Sequence, residues 1–597
     1  MRSLFATIAL MIGLATLPGS AQAACSIDKF LDMPVTMAGL QPMVPARING
    51  HDVKFLADSG AFYSSISPGS AAELSLKRTP APFGFFIRGI GGDTNASIAT
   101  VKDFGLGPAV LHNIQFLVGG SEVGGVGLLG QNFLGLDDAE YDLAHGAIRL
   151  MKPKGCDRNT NFAYWAGSLP VSELDIESQA TARFHTSGIV YLDGVRIRAF
   201  FDTGAHVSIL TRAAAARAGI RPDSPGVVSG GATSGIGRHV SQSWIGGFQS
   251  LKIGDEEIKK IRLRFGDLGD LDVDMLIGAD FFLSHRVYVA NSVHKLFFTY
   301  NGGPVFDLTV HKAEAPAIAD APAAAPAGVT TPGAAGEPKT AEEYSRRGAA
   351  LSAQLDFAHA LPDLARAVEL APDNATYRYQ RAVALARSGQ RPAALADLDH
   401  ALVLSPADPD ALLMRAQLRL AGGNRDGAKS DLAALSHAVA GPSNLRLQIS
   451  EMYERLGDTD AGIAELDQWI PAHPDDSRMP VALNERCWLR ATAGQDLDQA
   501  IADCDRALKL RPHTASFLDS RGLAHLRKGD ADKALADFDA ALALNPRLAL
   551  SLYGRSLIEG NKGEKAKADA DMAAALALEP KIGIRAKKFG LPVPSGS

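Results

Sequence analysis

The sequence predicts a multidomain protein in which an all-β part with two similar lobes is followed by an all-α solenoid. Three observations support this fold class. An acid-bearing segment occurs twice in the first half of the chain, each time after a hairpin signal. A stretch rich in alanine and proline follows the second copy. Beyond that stretch, small and large apolar residues recur with a period of 34.

The two acid-bearing segments share one arrangement of residue types. An apolar run leads to an aspartate, a hydroxyl residue, a glycine and an alanine, and a serine stands six places past the aspartate. An Asn-Gly or Asp-Gly pair precedes each aspartate, with the glycine eight residues before the aspartate. Such a pair indicates a hairpin, because a type I′ turn needs positive φ at both of its central residues. Each aspartate is therefore expected to end a hairpin: Asp58 after strands 44–48 and 53–57, Asp202 after strands 188–192 and 195–201.

A second element follows each aspartate at a similar distance. It consists of two apolar residues and a glycine, Leu128-Leu129-Gly130 in the first copy and Leu276-Ile277-Gly278 in the second. The glycines lie 72 and 76 residues past their aspartates, and an aromatic-rich segment comes after each. Matched spacing on both sides of the acid indicates that one lobe has been duplicated.

These motifs resemble those of the aspartic protease family, specifically the retropepsin-like lobes of bacterial proteins, over roughly residues 35–305. The resemblance implies a double-lobed, aspartic protease-like barrel domain with Asp58 and Asp202 as the catalytic pair. It implies that the hydroxyls of the next residues brace the two turns, and that the glycines let the backbone approach the acids. The supporting residues would be Ser59, Gly60, Thr203 and Gly204 in the turns, and Leu129, Gly130, Ile277 and Gly278 in the structural loops.

The implied chemistry needs two carboxyl groups because its nucleophile is water. Two acids about 3 Å apart do not both ionise readily, so the pair holds one shared proton. The ionised member takes a proton from the attacking water, and the neutral member donates to the oxygen on which negative charge develops. The pKa values belong to the pair, so acid and base are not assigned separately. No cofactor is implied.

Each lobe also has a glycine-rich segment between its aspartate and its later glycine, at 88–93 and 229–237. As flaps, these hairpin tips would fold over an extended peptide, exclude water and supply backbone hydrogen bonds. As ordinary structure, they would be two mobile surface hairpins, and the sequence leaves both interpretations open. Neither tip has the tyrosine of pepsin-like flaps, which fits retropepsin-like lobes better. The flap candidates are Gly91, Gly92, Gly235 and Gly237.

Two classes of function fit these motifs. The first is an exported aspartic endopeptidase whose solenoid recruits a protein substrate or partner. The second is a non-catalytic protein that binds extended peptide with a degenerate protease fold and another partner with its repeats. If Asp58 and Asp202 were far apart, a homodimer or no catalysis would be the better interpretation.

The first 24 residues have the pattern of a secretory signal peptide: a positive start, a short apolar run and a small-x-small site. The run is short for a membrane span, and no other stretch is long and apolar enough to cross a bilayer. Gln22 stands where a lipoprotein signal would have an aliphatic residue, so the sequence favours soluble export to the periplasm or medium.

Export affects how the four cysteines are interpreted, because an even count in an oxidising compartment suggests disulfides. Cys25 opens the first lobe and Cys156 follows its last strand, so a bridge between them would close that lobe. Cys487 and Cys504 could meet across a helical hairpin, as a disulfide or as a buried thiol pair. A zinc site is the alternative, but no histidine pair lies at ligand spacing near these cysteines, so no metal is predicted.

The chain divides at changes in composition. An alanine- and proline-rich linker lacks the large apolar residues that would offset the entropy of ordering, so an extended, flexible tether is expected there. The predicted domains are a signal peptide at 1–24, the first lobe at 25–156, a connector at 157–179, the second lobe at 180–310, the linker at 311–340, the solenoid at 341–582, and a cap and tail at 583–597.

The solenoid prediction depends on residues that recur in register. A small residue stands where two helices approach closely, and a large apolar residue follows four places later. With a closing proline, this resembles tetratricopeptide repeats, and about seven units can be counted. Such units stack into a curved solenoid whose concave face would take a protein partner. The small residues are Ala360, Ala394, Ala428, Ala500, Ala534 and Ala568; the large ones are Leu364, Leu398, Leu432, Leu466, Phe538 and Met572.

The charge balance excludes one class of partner. The formal net charge is −6, and no lysine- or arginine-rich face stands out, which argues against nucleic acid as the main partner. The predicted partners are an extended peptide or protein substrate between the lobes and a protein on the concave face of the solenoid.

Overall fold

The computed structural model describes residues 25–82, 86–89, 92–120, 124–177, 185–234, 240–269, 271–306, 337–474, 476 and 478–593. The predicted signal peptide and most of the predicted linker lie outside these ranges. Within them, a two-lobed β part precedes a helical solenoid, as the sequence predicts.

The β part contains strands and short helices in the following order. They are β1 (Ser26–Pro34), β2 (Thr36–Ala38), β3 (Gln41–Ile48), β4 (His51–Ala57), β5 (Ser65–Ile66), α1 (Pro68–Glu73), β6 (Arg78–Pro80), β7 (Phe86–Gly89), β8 (Gly92–Asn95), β9 (Ser97–Leu106), β10 (Ala109–Val118), β11 (Gly127–Leu129), α2 (Gln131–Leu134), β12 (Asp138–Asp142), a 3-10 helix (Leu143–His145), β13 (Ala147–Lys154), β14 (Ser172–Asp175), β15 (Ser187–Leu192), β16 (Val195–Phe201), β17 (Ile209–Thr211), α3 (Arg212–Arg217), β18 (Val228–Ser234), β19 (Val240–Ile253), β20 (Glu256–Gly266), β21 (Met275–Ile277), α4 (Ala279–Ser284), β22 (His285–Ala290) and β23 (Lys295–Tyr300).

Each lobe is a closed ring of six strands. In the first lobe the order is β3-β4-β11-β5-β10-β9, and β9 pairs back onto β3. The second lobe repeats it as β15-β16-β21-β17-β20-β19, with β19 pairing onto β15. Apolar side chains that alternate along these strands fill each ring, and the aromatic rings of Phe55, Phe104 and Phe116 pack together in the first.

Both predicted hairpins are confirmed. Asn49 and Gly50 join β3 to β4 with φ values of 49° and 89°, and Asp193 and Gly194 join β15 to β16 with 47° and 79°. Positive φ at both central residues matches the type I′ turn that the dipeptides predict. The turns fix the register, Ile48 facing His51 and Leu192 facing Val195, and so bring both aspartates to the ends of β4 and β16.

A third sheet joins the lobes. Its six strands run in the order β1-β13-β12-β22-β23-β14, with β12 of the first lobe paired to β22 of the second. The connector supplies one edge strand, β14, so it is part of this sheet. Glu140 on β12 and Arg286 on β22 are buried, and Arg286 Nη2 donates to Glu140 Oε1 over 2.7 Å. This buried ion pair crosses the boundary between the lobes.

The solenoid consists of seven helix pairs and one further helix within the described residues. They are α5 (Ala341–Ala353), α6 (Phe357–Leu370), α7 (Ala375–Arg387), α8 (Arg391–Leu404), α9 (Pro409–Ala421), α10 (Arg425–Ala438), α11 (Leu445–Leu456), α12 (Thr459–Ala472), α13 (Met479–Ala493), α14 (Leu497–Leu510), α15 (Ala515–Lys528), α16 (Ala531–Leu544), α17 (Ala549–Asn561), α18 (Lys565–Leu578) and α19 (Ile582–Lys588).

The recurring residues lie where the period predicts. The small alanines are buried on the second helix of their pairs, and the large apolar residues beside them are buried too, except for Met572, which is half-buried. A charged pair that the sequence analysis did not single out recurs with them. An arginine on the first helix of a pair holds an aspartate on the second, as in Arg347–Asp363, Arg381–Asp397, Arg415–Asp431, Arg486–Asp503, Arg521–Asp537 and Arg555–Asp571.

The solenoid packs against both lobes. Ala350 and Ala353 of α5 belong to the same hydrophobic core as the β strands, and Gln354 Nε2 donates to the Leu283 carbonyl over 2.7 Å. Farther along, α1 lies against the end of α12, where a Cβ added to Gly69 would stand 2.2 Å from His473 Nε2. The helical and β parts are therefore held together by side-chain contacts outside the linker. None of the described helices is long and apolar enough to cross a membrane.

Candidate functional site

The two aspartates meet where the lobes meet. A Cβ added to Gly60 would lie 2.3 Å from Asp202 Cγ, and a Cβ added to Gly204 would lie 2.3 Å from Asp58 Cγ. Each glycine thus lets its turn approach the opposite carboxyl group, and any larger residue would collide with it. The structure brings Asp58, Gly60, Asp202 and Gly204 together in one site related by approximate two-fold symmetry.

The two turns are tied to each other by hydroxyl groups. Ser59 Oγ donates to the Phe201 carbonyl over 2.8 Å and accepts from Thr203 N over 2.9 Å. Thr203 Oγ1 donates to the Ala57 carbonyl over 2.8 Å and accepts from Ser59 N over 3.0 Å. Both side chains are buried, so these four reciprocal bonds form without competition from water.

The two carboxyl groups meet at the junction of the lobes, each against the glycine of the opposite turn. Backbone N–H groups orient both: Asp58 Oδ1 accepts two such bonds of 2.9 Å, and Asp202 Oδ1 accepts two of 2.9 and 3.2 Å. Burial, together with the neighbouring Asp202 carboxyl, raises the pKa of Asp58 well above its ordinary value of 3.8. A raised pKa keeps a proton on the pair in mildly acidic solution, so one carboxyl can donate while the other accepts.

The hydrophobic-hydrophobic-glycine elements support the acid-bearing strands from the side. Strand β11 runs parallel to β4, and the Leu129 carbonyl accepts from Asp58 N over 3.0 Å. A Cβ added to Gly130 would lie 2.8 Å from the Ala61 carbonyl oxygen, so only glycine fits there. The second lobe repeats this geometry: the Ile277 carbonyl accepts from Asp202 N over 2.8 Å. A Cβ added to Gly278 would lie 2.6 Å from the Ala205 carbonyl oxygen.

One pair of anchoring residues was not identified from the sequence. Asn132 Oδ1 accepts from Ser64 N and Oγ over 2.7 and 2.8 Å, and Asp280 occupies the equivalent place opposite Ser208. Burial raises the pKa of Asp280 to about 6 despite the bonds from Ser208. The sequence pattern that could have identified this pair is a serine six places past each aspartate, together with a polar residue two places past each later glycine.

Aromatic and histidine side chains lie beside Asp202. His185 stacks on Phe200 with ring centroids 5.0 Å apart and lies 6.5 Å from Phe62 of the first lobe. Burial lowers the pKa of His185. His206 follows Asp202 by four residues and is exposed. The sequence patterns gave no reason to single out His185, because it precedes the predicted hairpin and belongs to none of the motifs.

The flap candidates are only partly within the described residues. Strands β7 and β8 form a hairpin in which Gly89 pairs with Gly92, and β18 pairs with β19 up to Ser234 and Val240. Glycine-rich hairpins therefore exist in both lobes at the predicted positions. Gly91, Gly235 and Gly237 fall outside the described residues, so their role stays a prediction.

Both candidate cysteine pairs are disulfides in the structure. Cys25 and Cys156 join the start of β1 to the segment after β13, closing a loop of 131 residues. Cys487 on α13 and Cys504 on α14 are joined across a helix pair and are fully buried. Cys504 stands at a position that other repeats fill with a large apolar residue, so this bridge takes the place of an apolar contact.

Comparison with known families places these features in context. Residues 44–135 match the family model described as "gag-polyprotein putative aspartyl protease", and residues 189–281 match the model described as "Aspartyl protease". Each lobe therefore matches a family model of aspartyl protease domains. Residues 489–549 match the tetratricopeptide repeat model. The resemblance drawn from the motifs is thereby confirmed for both parts of the chain.

Several solved structures are similar to the helical part of this aspartyl protease-like chain. YrrB, described as a TPR protein with an unusual peptide-binding site, is 20% identical over 32% of this chain and 97% of its own, with a TM-score of 0.29. A tetratricopeptide repeat protein from Parabacteroides merdae is 17% identical over 42% of this chain and 97% of its own, with a TM-score of 0.32. The search of curated proteins found no match. The repeat assignment therefore rests on the family model and the helix pairs.

Proposed function

We propose that this chain is an exported aspartic endopeptidase that hydrolyses peptide bonds with a water molecule activated between Asp58 and Asp202. The observation that carries the proposal is that the Asp58 and Asp202 carboxyl groups meet at the junction of two equivalent turns, each against the glycine of the other turn. Because the Ser59 and Thr203 bonds fix both turns, the carboxyl groups are held for reaction before substrate arrives.

The proposed reaction uses the single proton of the pair. A peptide bound between the lobes presents its carbonyl carbon to the water. The ionised carboxyl takes a proton from the water as the water oxygen bonds to the carbonyl carbon. At the same time the neutral carboxyl donates its proton to the carbonyl oxygen. The C–N bond of the tetrahedral intermediate then breaks: the amine nitrogen receives the proton that the pair took from water, and one hydroxyl of the intermediate returns its proton to the other carboxylate. The amine and the new carboxylic acid leave, and the pair again holds one proton.

The pH dependence follows from the raised pKa of Asp58. Activity needs one proton on the pair, so hydrolysis is expected in acid and should fall as the pH rises through the pKa of Asp58 and the pair loses its shared proton. A profile of kcat/KM against pH measures this alkaline limb.

The decisive experiment is hydrolysis of a denatured protein by the purified chain, with cleaved peptides identified by mass spectrometry. Asp202→Asn should lower kcat by at least about a thousandfold, since the general acid–base pair is lost. Asp223→Asn, an exposed acid of the same lobe, is the matched control and should cleave as wild type does. Peptide binding without turnover by the wild type from acidic to neutral pH would instead indicate a non-catalytic peptide-binding protein.

The repeat solenoid extends this proposal. We propose that it recruits a protein substrate or partner, because tetratricopeptide repeats present an extended surface built from their first helices. Export is proposed on the pattern of residues 1–24, and the two disulfides support it since such bridges persist in oxidising compartments.

A further inference from the structure

His473 lies at the contact between the solenoid and the first lobe. It directly follows α12, and its side chain is completely buried. A Cβ added to Gly69 would lie 2.2 Å from His473 Nε2 and 3.1 Å from Asn444 Nδ2, so both side chains stand directly against the backbone of α1. Gly69 is buried as well. One edge of the fourth repeat, which consists of α11 and α12, is therefore closed over this helix of the first lobe.

The hydrogen bonding of His473 fixes the position of its proton. Nδ1 lies 2.7 Å from the Trp469 carbonyl oxygen, and a carbonyl can only accept, so Nδ1 carries the proton of the neutral ring. Nε2 is then the unprotonated nitrogen, and it has no hydrogen-bond partner among the described residues. A second proton would have to bind Nε2. It would place a buried cation against α1 without an acceptor for the new N–H group.

The ring of His473 is held in this orientation by its neighbours. It stacks on the Trp469 indole with ring centroids 4.2 Å apart and an interplanar angle of 8°. Trp469 is buried and donates from Nε1 to Asn444 Oδ1 over 3.0 Å, and Arg478 donates to the same oxygen over 2.7 Å. These bonds leave Asn444 Nδ2 facing Gly69. The docked arrangement thus fits the neutral form of His473, and the charged form requires the contact to open.

The other charged side chains at this contact are mostly paired within the solenoid. Asp476 and Arg478, in the loop after α12, are paired over 2.7 Å. Arg446 of α11 is paired with Glu465 of α12 over 2.5 Å. On the first lobe, Glu73 stands one turn past Gly69 on the same face of α1. It interacts electrostatically with Arg446, so it is the one acid of α1 that faces this edge of the solenoid.

His473 and Glu73 act in opposite directions as the pH falls. Burial lowers the pKa of His473 below its ordinary value of 6.5, so the stability that it gives to the docked state is present above pH 6.5 and is lost as the pH falls through the lowered value. Partial burial raises the pKa of Glu73 above 4.5, so protonation of Glu73 favours docking in acid. Glu73 is largely exposed and screened by solvent, whereas His473 is fully buried, so the effect of His473 should be the larger.

The first repeat is attached to the β part independently of this contact. Ala350 and Ala353 of α5 belong to the core of the β part, where no titration is involved. Between α5 and α12, Lys54 of β4 lies 4.0 Å from Asp410 of α9, and both side chains are more than half exposed, so this pair adds little. Opening the contact at α1 would therefore leave the solenoid attached through α5.

We propose that His473 is an acid-sensitive latch, which holds the fourth repeat on α1 of the first lobe at neutral pH and releases it in acid while α5 stays anchored. Hydrolysis is also expected in acid, so the released arrangement would be the one that meets substrate. That link rests on the proposed function, whereas the latch itself does not.

Hydrogen–deuterium exchange followed by mass spectrometry at pH 7.5 and pH 4.5 tests the latch. All proteins carry Asp202→Asn so that self-hydrolysis does not interfere, and protection factors are corrected for the intrinsic pH dependence of exchange. Protection of α1 and of the last turn of α12 should fall at least tenfold between the two pH values. Helix α3, the equivalent helix of the second lobe, should change less than threefold because its Ala213 face is exposed at both pH values.

Three variants assign the release to His473. His473→Asn keeps a donor for the Trp469 carbonyl, and His473→Phe keeps a ring on Trp469, but neither residue titrates. A variant that protects α1 at pH 7.5 within threefold of the parent chain should keep this protection within threefold at pH 4.5. Glu73→Gln is the control. It should release at least as strongly as the parent chain, because the opposing titration is removed.

Unchanged protection of α1 in the parent chain between pH 7.5 and pH 4.5 would overturn the proposal. Acid release in a His473 variant that docks at pH 7.5 would overturn it as well. So would an equal loss of protection in α3, since the chain would then be unfolding generally. Hydrolysis is measured separately in protein with Asp202 restored, so failure of the latch and failure of the proposed hydrolysis are distinguished.

If neither His473 variant docks at pH 7.5, an NMR titration of the parent chain labelled with 13C at histidine Cε1 replaces them. The His473 signal is the one that is absent from the spectrum of His473→Asn. Its midpoint should lie below pH 6.5 and coincide with the midpoint of the loss of protection in α1. A midpoint at or above pH 6.5, or one separate from the release, would overturn the assignment to His473.

Discussion

At the level of single residues, the junction between the lobes depends on buried hydroxyl groups. Thr203→Val keeps the shape of the side chain but leaves the Ser59 N–H and the Ala57 carbonyl without their partner. We expect it to lower the free energy of unfolding by about 3 kcal/mol, whereas Thr203→Ser, which keeps both bonds, should cost about 1 kcal/mol. Urea unfolding followed by circular dichroism measures both. A loss for Thr203→Val no larger than that for Thr203→Ser would contradict the share assigned to the hydrogen bonds.

A second residue, Asp280, should make stability depend on pH. Its pKa is raised from 3.8 to about 6 in the folded protein, so the folded state holds this proton more tightly than the unfolded state. Its contribution is therefore greatest below about pH 4 and is lost as the pH rises to about 6, on the order of 1 to 3 kcal/mol. Asp280→Asn should remove this loss and raise the melting temperature at pH 7.

The first lobe shows that an asparagine can fill this position, because Asn132, which does not titrate, accepts from the equivalent serine, Ser64. Melting curves of wild type and Asp280→Asn between pH 4 and pH 7 should converge at the acid end and separate at the neutral end. Curves separated by the same amount at every pH would contradict the assignment to Asp280.

Among the secondary-structure elements, the two short helices that follow the acid-bearing turns differ in their surroundings. Helices α1 and α3 start at equivalent positions, with Ser67 and Thr211 as N-caps. Gly69 on α1 is buried against His473, whereas Ala213 on α3 is exposed. The approximate symmetry of the lobes is therefore broken by the solenoid, which covers only the first helix of the two.

This difference predicts unequal effects of one substitution. Gly69→Leu should collide with His473, whose ring is fixed by stacking on Trp469 at 4.2 Å, and should cost about 1 to 3 kcal/mol. Ala213→Leu, at the equivalent position, should change stability by about 0.5 kcal/mol or less. Hydrogen exchange should accelerate in α1 and α12 for Gly69→Leu alone. Similar exchange in both variants would contradict the docking of the solenoid on α1.

At the scale of the whole molecule, the β part and the solenoid should stay together without the linker. Ala350 and Ala353 belong to the core of the β part, and Gln354 bonds to Leu283, so α5 is integrated into it. If a protease recognition site is inserted within 320–325 and cut, the two fragments should co-elute in size-exclusion chromatography at the position of the intact chain. Separate elution would show that the linker alone holds the parts together.

The site could be predicted from the sequence because its determinants are local. The Asn-Gly and Asp-Gly turns fix where β4 and β16 end, and the glycine after each hydroxyl residue marks a turn that must approach another group. The repeats were visible for a similar reason, since their buried alanines recur with the helix pairs. Asn132 and Asp280 were missed because a polar residue after a glycine has many possible roles.

The sequence by itself determined the duplicated lobes, the positions of their aspartates, the disulfide candidates and the repeat solenoid, because turn geometry, residue spacing and periodicity act over short stretches of chain. Only the tertiary structure decided that β12 pairs with β22, that the solenoid covers α1 but leaves Ala213 on α3 exposed, and that Phe589, just after α19, meets Trp488 of α13. Those contacts join surfaces far apart in the chain. They depend on shape, such as the missing Cβ of Gly69, which no local pattern of residue types encodes.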